Sequence, residues 1–542
     1  MRRKLAMVLG VVLLAGVVPA TARDASAAVV AEVDTVTRDG HVVQRDRVAA
    51  PKARVTGAGA TRADFDGDGV DDVAGQAYTV KYQWTPEHPG SGVVAVRYSS
   101  LPYTDHFTDD ADGCGFGVAL ASGNFNGDRY DDLVIAACEP DTRAGSVRAG
   151  GVWILPGSAQ GLALAAAVHI DQSTAGVPGA SWADDYFGGA LATGDLTGDG
   201  RDELAVGAPW KKVSGRAEAG SVFVLLGSAA GLSGSGSFVL HQDQAAVPGG
   251  AEAQDQFGYA LAIGKVDKDR YADLVIGAVG ENSRDYPGNG SVTLVRGAAG
   301  GVLRSGVTTV SGLGAALALD RDGLILNSFG CALAVGDTNG DGYGEVLVGM
   351  PGAQVGYHYA SGVVVSLAGR AGGLSTSGIR MLSQNTAGVP GADEGEDRFG
   401  HTLAAGDVTG DGRADLLVGV PGENLDSDVD AGAAVLLRGS GSGLTGAGAQ
   451  VWNQDSGAVA GASETGDRFG EALTLLNLDG RGGWDAVVAA PGEKVGGDPA
   501  DLKTGLVATF TATSAGLKPK ASWSGRDLRF ADFYFDHYGR HM

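Results

Sequence analysis

Residues Asp195 to Glu203 read Asp-Leu-Thr-Gly-Asp-Gly-Arg-Asp-Glu, and this carboxylate-rich nonapeptide returns along the chain in seven copies. The others are DFDGDGVDD from Asp64, NFNGDRYDD from Asn124, KVDKDRYAD from Lys265, DTNGDGYGE from Asp337, DVTGDGRAD from Asp407 and NLDGRGGWD from Asn477. Successive copies begin 60, 71, 70, 72, 70 and 70 residues apart. A fixed period of that size marks one supersecondary unit per repeat, each unable to bury its apolar face alone. The seven units occupy nearly all of the chain after its N-terminal segment.

A larger frame surrounds each nonapeptide. Seven residues before it stands a Gly, preceded by Phe116, Phe187, Phe257, Phe329, Phe399 and Phe469 in six copies and by Thr56 in the first. After it comes a short apolar run ending in Gly-Ala-Pro or a relative, then a variable loop, then a second run such as VFVLLG from Val222 or AVLLRG from Ala434. Runs of four to six β-branched residues bounded by Gly and Pro read as buried strands. A further strand per unit is visible in SFVLHQD and QVWNQD. Four antiparallel strands repeated seven times describe an all-β, seven-bladed β-propeller, whose closed ring hides strand edges better than an open solenoid does. The 91 glycines among 542 residues then serve turns, loops and close blade contacts.

The nonapeptide has the donor pattern of a hard-cation loop. Side-chain oxygens at positions 1, 3, 5 and 9 with the carbonyl at 7 can surround Ca2+, which takes six to eight oxygen ligands. Loop one offers Asp64, Asp66, Asp68, Val70 and Asp72; loop two Asn124, Asn126, Asp128, Tyr130 and Asp132. Loop three offers Asp195, Thr197, Asp199, Arg201 and Glu203; loop five Asp337, Asn339, Asp341, Tyr343 and Glu345; loop six Asp407, Thr409, Asp411, Arg413 and Asp415. Loop two has only two carboxylates and Arg129 in place of the second Gly, so it is expected to bind more weakly. Lys265 replaces the first ligand of loop four and Arg481 the third oxygen of loop seven. These two loops are expected to be metal-free, with the side-chain cation pairing with Asp267, Asp269 and Asp273, or with Asp479 and Asp485. The expectation is therefore four or five Ca2+ ions.

Together the Phe-Gly, nonapeptide and Gly-Ala-Pro elements resemble the FG-GAP repeat of the integrin alpha-subunit propeller and its bacterial secreted relatives. The resemblance runs from about Arg54 to about Gly525 and implies a propeller whose Ca2+ loops join the first and second strands of each blade. Departures are Thr56, Cys138-Glu139-Pro140 in the second repeat, Ala278-Val279-Gly280 in the fourth, and the loops at Lys265 and Asn477. A similar propeller accompanies the catalytic domain of glycosylphosphatidylinositol-specific phospholipase D.

The rest of the sequence sets compartment and partners. Arg2, Arg3 and Lys4 precede an apolar run from Leu5 to Val18 and small residues to Ala27, the order of a secretory signal peptide over 1–27. Its removal leaves 36 of 40 basic and 63 of 64 acidic residues, a net charge of −27. Such acidity repels nucleic acid, and no apolar stretch is long enough for a membrane span. The expected protein is extracellular and monomeric. Of three cysteines, Cys114 and Cys138 could form a disulfide, and Cys331 reads as a buried thiol. Residues 28–53 could add a ring-closing strand, and the aromatic tail 526–542 could dock on the disc.

Loops between second and third strands, with the blade connections, share one face and vary most; several carry aromatics, among them Tyr78, Tyr82, Trp84, Trp182, Tyr186, Trp210, Tyr286, Tyr357 and Tyr359. Variable loops on a rigid scaffold commonly carry binding function, and aromatics beside polar groups suit a protein or glycan ligand. No G-x-S-x-G, H-E-x-x-H or phosphate-binding P-loop motif occurs. The sequence thus points to a non-enzymatic, calcium-stabilised binding or adhesion module. The alternative is a secreted hydrolase, or a hydrolase-associated propeller, with its site on the face opposite the calcium loops.

Overall fold

The computed structural model describes residues 30–50, 61–79, 92–109, 115–141, 143–282, 288–302, 306–319, 328–494, 505–524 and 533–534. Residues 1–29, where a signal peptide is expected, together with Thr56, Tyr82, Trp84, Cys114, Tyr286 and the rest of the aromatic tail, lie outside these residues. The chain forms a seven-bladed β-propeller of antiparallel sheets. In the second blade β6 (Phe116–Gly123), β7 (Asp132–Ala137), β8 (Gly151–Leu155) and β9 (Val168–Asp171) lie side by side in chain order. Blades three to seven repeat that order.

Second strands such as Glu203–Ala208, Asp415–Val420 and Asp485–Ala490 are buried at every residue. Blades stack on both of their faces, so these strands read as continuous apolar runs rather than as an alternation. Outer strands such as Thr445–Trp452 are largely exposed. The six Phe of the Phe-Gly pairs are all fully buried between neighbouring sheets. Close approach is literal at Gly349, where a Cβ would stand 2.1 Å from the carbonyl oxygen of Gly400 in the next blade. Gly400 itself has φ +90°, a conformation open to glycine at little cost.

The first blade is built differently. β3 (Val73–Thr79), β4 (Gly92–Arg97) and β5 (Tyr103–Asp109) correspond to second, third and fourth strands. Outside them lies an N-terminal hairpin, β1 (Val30–Arg38) and β2 (His41–Ala49), with Val43 opposite Asp109 and Ala49 opposite Tyr103. Where the other blades place their first strand, Phe533–Tyr534 pairs with Tyr78 and Thr79 of β3. The hairpin is locked by Arg47, which donates to both oxygens of the buried Asp105 at 2.7 and 2.8 Å. Arg38 reaches the second blade, donating to the carbonyl of Ala167 at 2.9 Å.

Ring closure has a backbone signature. The N–H at position 8 of each nonapeptide donates to the position-1 carbonyl of the preceding blade: Asp131 to Asp64, Asp202 to Asn124, Ala272 to Asp195, Gly344 to Lys265, Ala414 to Asp337 and Trp484 to Asp407. Asp71 to Asn477, at 2.9 Å, completes the circle from seventh blade to first. The Asp71 carboxylate also accepts from the N–H groups of Arg62, Ala63 and Asn477, each at 2.7 Å. Replacing it strands three donors, yet Ala272 and Ala414 show that the position can dispense with a carboxylate. Asp71→Ala is expected to destabilise the ring by about 2 kcal/mol, within the range for partly rehydrated donors. Urea denaturation checks this; a cost matching that of a surface substitution would show the junction to be held by packing alone.

Candidate functional site

The nonapeptides lie on one face: in blades two to seven each joins the first and second strands, and in the first blade it leads into β3. Each loop is folded around its own carboxylates. In loop one the Asp64 carboxylate accepts from the N–H groups of Gly67, Asp68 and Gly69 at 2.7–3.0 Å. Asp195 and Asp337 accept from the corresponding residues of loops three and five. The position-9 carboxylate spans two elements. Asp72 accepts from Phe65 N–H in its loop and from Ser99 N–H after the third strand. Asp415 bridges Thr409 and Gly439, and Asp485 bridges Leu478 and Ala512. Position 9 is therefore a structural bracket even in loop seven, where a metal is not expected.

Loop one concentrates charge most. Asp64, Asp66 and Asp72 are buried, and each offers an oxygen within 4.8 Å of the others. Ser100 donates to Asp66 at 2.7 Å and Ser99 to Asp68 at 2.8 Å. Burial, with the neighbouring carboxylates adding to it, pushes Asp64 up to about 6 and Asp72 well above the carboxylate range. An all-oxygen, acidic, desolvated donor set fits a hard dication.

The other loops spread their donors more. Among the described residues only loop one brings three carboxylates within that separation. In loops three and six the position-5 carboxylates turn to their own arginines, Asp199 to Arg201 at 2.7 Å and Asp411 to Arg413 at 3.0 Å. In loop two the Asn124 amide donates to the Asp128 carbonyl at 2.5 Å, and Tyr130 lies against Gly67 of the preceding loop. Loop five joins Asn339 to Glu345 at 2.8 Å, with Tyr343 under the Lys268 ammonium. Burial also pushes Asp132 and Glu203 up to about 7.

The loops at Lys265 and Asn477 correct one expectation, that their side-chain cations pair with the loop carboxylates. The Lys265 side chain is exposed and pairs with none of the loop-four carboxylates; Arg296, from the end of the third strand, approaches Asp267 at 3.7 Å instead. Lys265 occupies position 1, where the chain enters the loop and the side chain turns outward. In loop seven Arg481 is 84% exposed and only 4.0 Å from Asp479, a solvent-screened contact. Cys138 is disulfide-bonded, and Cys331, expected to be buried, is a thiol of intermediate exposure.

The opposite face gathers the variable loops. Tyr357, Tyr359 and Trp182 are strongly exposed, whereas Trp210 packs against Tyr186 at 4.9 Å and faces Tyr259 at 6.5 Å. Beneath these loops a motif recurs that composition does not advertise. Gln384 of a blade connection donates to Glu423 of the next blade, beside Asp397; Gln242 with Glu281, and Gln454 with Glu493, repeat it. The sequence signal was the recurring Gln after the fourth strand paired with Gly-Glu after the second. In blade three Lys211 takes the Glu position and pairs with Asp185 at 2.7 Å.

Burial, reinforced by the charge of Asp397, raises Glu423 to about 7; burial and Asp255 do the same for Glu281. A raised carboxyl means that the folded state holds its proton more tightly than the unfolded chain. Stability from these groups is full below the unfolded value near 4.5 and falls as pH rises toward 7. Glu423→Gln is thus expected to match the parent below pH 4.5 and to melt higher above pH 7, with Ca2+ saturating throughout. An unchanged difference in melting temperature across that window would contradict the assignment.

The geometry agrees with comparisons to known proteins. The FG-GAP repeat family model matches residues 116–155, 187–225 and 399–437. Integrin alpha-PS2 of Drosophila melanogaster is 32% identical over 221 residues, covering 40% of this chain and 14% of that protein. Integrin alpha-V of Gallus gallus is 29% identical over 249 residues, covering 45% and 22%. Phosphatidylinositol-glycan-specific phospholipase D of Rattus norvegicus is 32% identical over 165 residues, covering 30% and 18%. The chain thus spans less than a quarter of each of these relatives. Among the described residues no helix is long and apolar enough to cross a membrane.

Proposed function

From an FG-GAP-repeat propeller similar to integrin alpha subunits, we propose a secreted, calcium-stabilised binding or adhesion module that engages a protein or carbohydrate ligand through its variable-loop face. The observation that carries the reading is the division of labour between the faces. Acidic loops, folded around their own carboxylates, brace one side. The other displays Trp182, Tyr357 and Tyr359 above connections clamped by buried polar contacts. Large aromatic side chains on a rigid base lose little entropy on binding and dominate the energetics of interfaces.

Ca2+ would be held by loops one, two, three, five and six, where it neutralises carboxylates that burial leaves mutually repelling. The residues themselves close the loops by backbone hydrogen bonds and fix the blade edges. Titration calorimetry on the secreted protein is expected to count four or five Ca2+ ions, with loop two weakest; a count of seven would contradict the reading of loops four and seven. Function is tested by screening the protein against glycan and extracellular-protein arrays with and without EDTA, beside assays on esters, phosphodiesters and glycans. Saturable binding weakened about 30-fold by Tyr357→Ala with Tyr359→Ala, a loss typical of anchor residues, is expected. Turnover without saturable binding would favour the hydrolase alternative.

A further inference from the structure

Outside the nonapeptide loops, one cluster of ligating side chains lies where the N-terminal hairpin meets the second blade. His41 opens β2, Glu139 follows β7, and His169 lies in β9, so hairpin and blade each contribute. Their exposures are 5%, 1% and 5%. Glu139 directs one oxygen to each imidazole: Oε1 to Nε2 of His169, and Oε2 to Nδ1 of His41 at 3.4 Å. One ligand atom from each residue falls within 4.8 Å of the other two. On its far side His169 Nδ1 meets Asp39 Oδ2 at 3.2 Å, and Asp39 is in turn approached by Arg143 at 3.3 Å.

Two features of the cluster ask for a cation. Glu139 Oε2 and His41 Nε2 are buried without a hydrogen-bond partner, which costs free energy in a site closed to water. The backbone also makes room: a Cβ on Gly151 would stand 2.2 Å from Glu139 Oε1 and 2.6 Å from His169 Nε2. Glu139 stands where Glu423 and Glu493 follow the second strand of their blades, its carbonyl accepting from Gly150 N–H as theirs do from Gly432 and Gly505, but its side chain faces His41 and His169 in place of a Gln.

We propose that His41, Glu139 and His169 form a structural Zn2+ site that staples the N-terminal hairpin to the second blade. Two imidazoles and a carboxylate suit a borderline dication, whereas Ca2+ favours oxygen alone. Asp39 accepts from the far nitrogen of His169 and orients that ring, the carboxylate–histidine arrangement common around zinc. Burial of all three ligands closes the site to substrates, so its role is to fasten. The bound ion satisfies the Glu139 oxygen.

The test uses the full secreted chain, stripped with chelator, returned to saturating Ca2+ and titrated with Zn2+ against a chromophoric competitor. One Zn2+ per chain is expected, raising the melting temperature, and Co2+ in its place should give the visible absorption of a tetrahedral nitrogen–oxygen site. His41→Gln and His169→Gln are expected to weaken binding about 100-fold or more, and Asp39→Asn, on the hairpin turn, about 10–100-fold. Asp39→Asn keeps the test open if a histidine variant fails to fold, because it leaves all three ligands in place. Absence of Zn2+ uptake by the Ca2+-loaded parent, or uptake unchanged in His41→Gln and Asp39→Asn, would overturn the proposal. So would a response to pH alone, the behaviour of a simple His–Glu ion pair.

Discussion

If four or five loops bind Ca2+ as proposed, chelation is expected to remove about 11–14 kcal/mol of stability from the protein. An ion present at 100 times its Kd contributes about 2.7 kcal/mol by mass action, and four or five loops have the donors to hold one. The physical source is clearest in loop one, where burial and mutual repulsion raise Asp64 and Asp72. A dication would supply counter-charge to this buried cluster, which the exposed Arg129 beside Asp64 does not enter. Urea unfolding in EDTA, in Ca2+ and in Mg2+ measures the difference. Mg2+ should recover little, because it demands a smaller, stiffer octahedral cage. Asp199→Asn should remove about one loop's share. A gain below about 3 kcal/mol would mean that no more than one loop is loaded.

Phe399→Ala is expected to cost about 3–5 kcal/mol, the range for truncating a fully buried aromatic. Phe399 is 0% exposed and packs with Val364, Leu416, Val418 and Val435 of the fifth and sixth blades. It stands at the point where one sheet meets the next, and Gly400 beyond it meets Gly349 backbone to backbone. Collapse into the cavity would require two blades to shift together while the ring stays closed, so the site relaxes poorly. Chemical denaturation checks this against Tyr357→Ala, which lies in open solvent and should stay within about 0.5 kcal/mol of the parent. Equal effects from the two substitutions would show that the Phe-Gly pairs do not wedge the blades apart.

The propeller was legible because its burial is simple. Second and third strands are covered on both faces, so they appear in sequence as short continuous apolar runs at fixed distances from a carboxylate loop. The two strands of the N-terminal hairpin were harder to read: 28–53 carries alternating polar residues such as Arg45 and Arg47, whose partner Asp105 is 58 residues away. The loops announced their ligand positions but not their unequal geometry, because Arg201 and Arg413 contribute backbone in the pattern and ion pairs in the fold. His41, Glu139 and His169 share no local spacing. Their one trace was the irregular Cys138-Glu139-Pro140, a departure from the frame that the structure puts to use.

The hydrogen-bonded circle that ends with Asp71 donating to Asn477 makes every blade junction equivalent in kind, yet the first sheet alone holds both described extremes of the polypeptide: the hairpin on its outer rim and Phe533–Tyr534 on its inner edge. A tether pulling on those extremes loads that sector first, while the opposite arc is reached only after the circle breaks. Whatever is attached at either extreme radiates from the same wedge. The exposed aromatics of the fifth blade, Tyr357 and Tyr359, belong to the opposite arc.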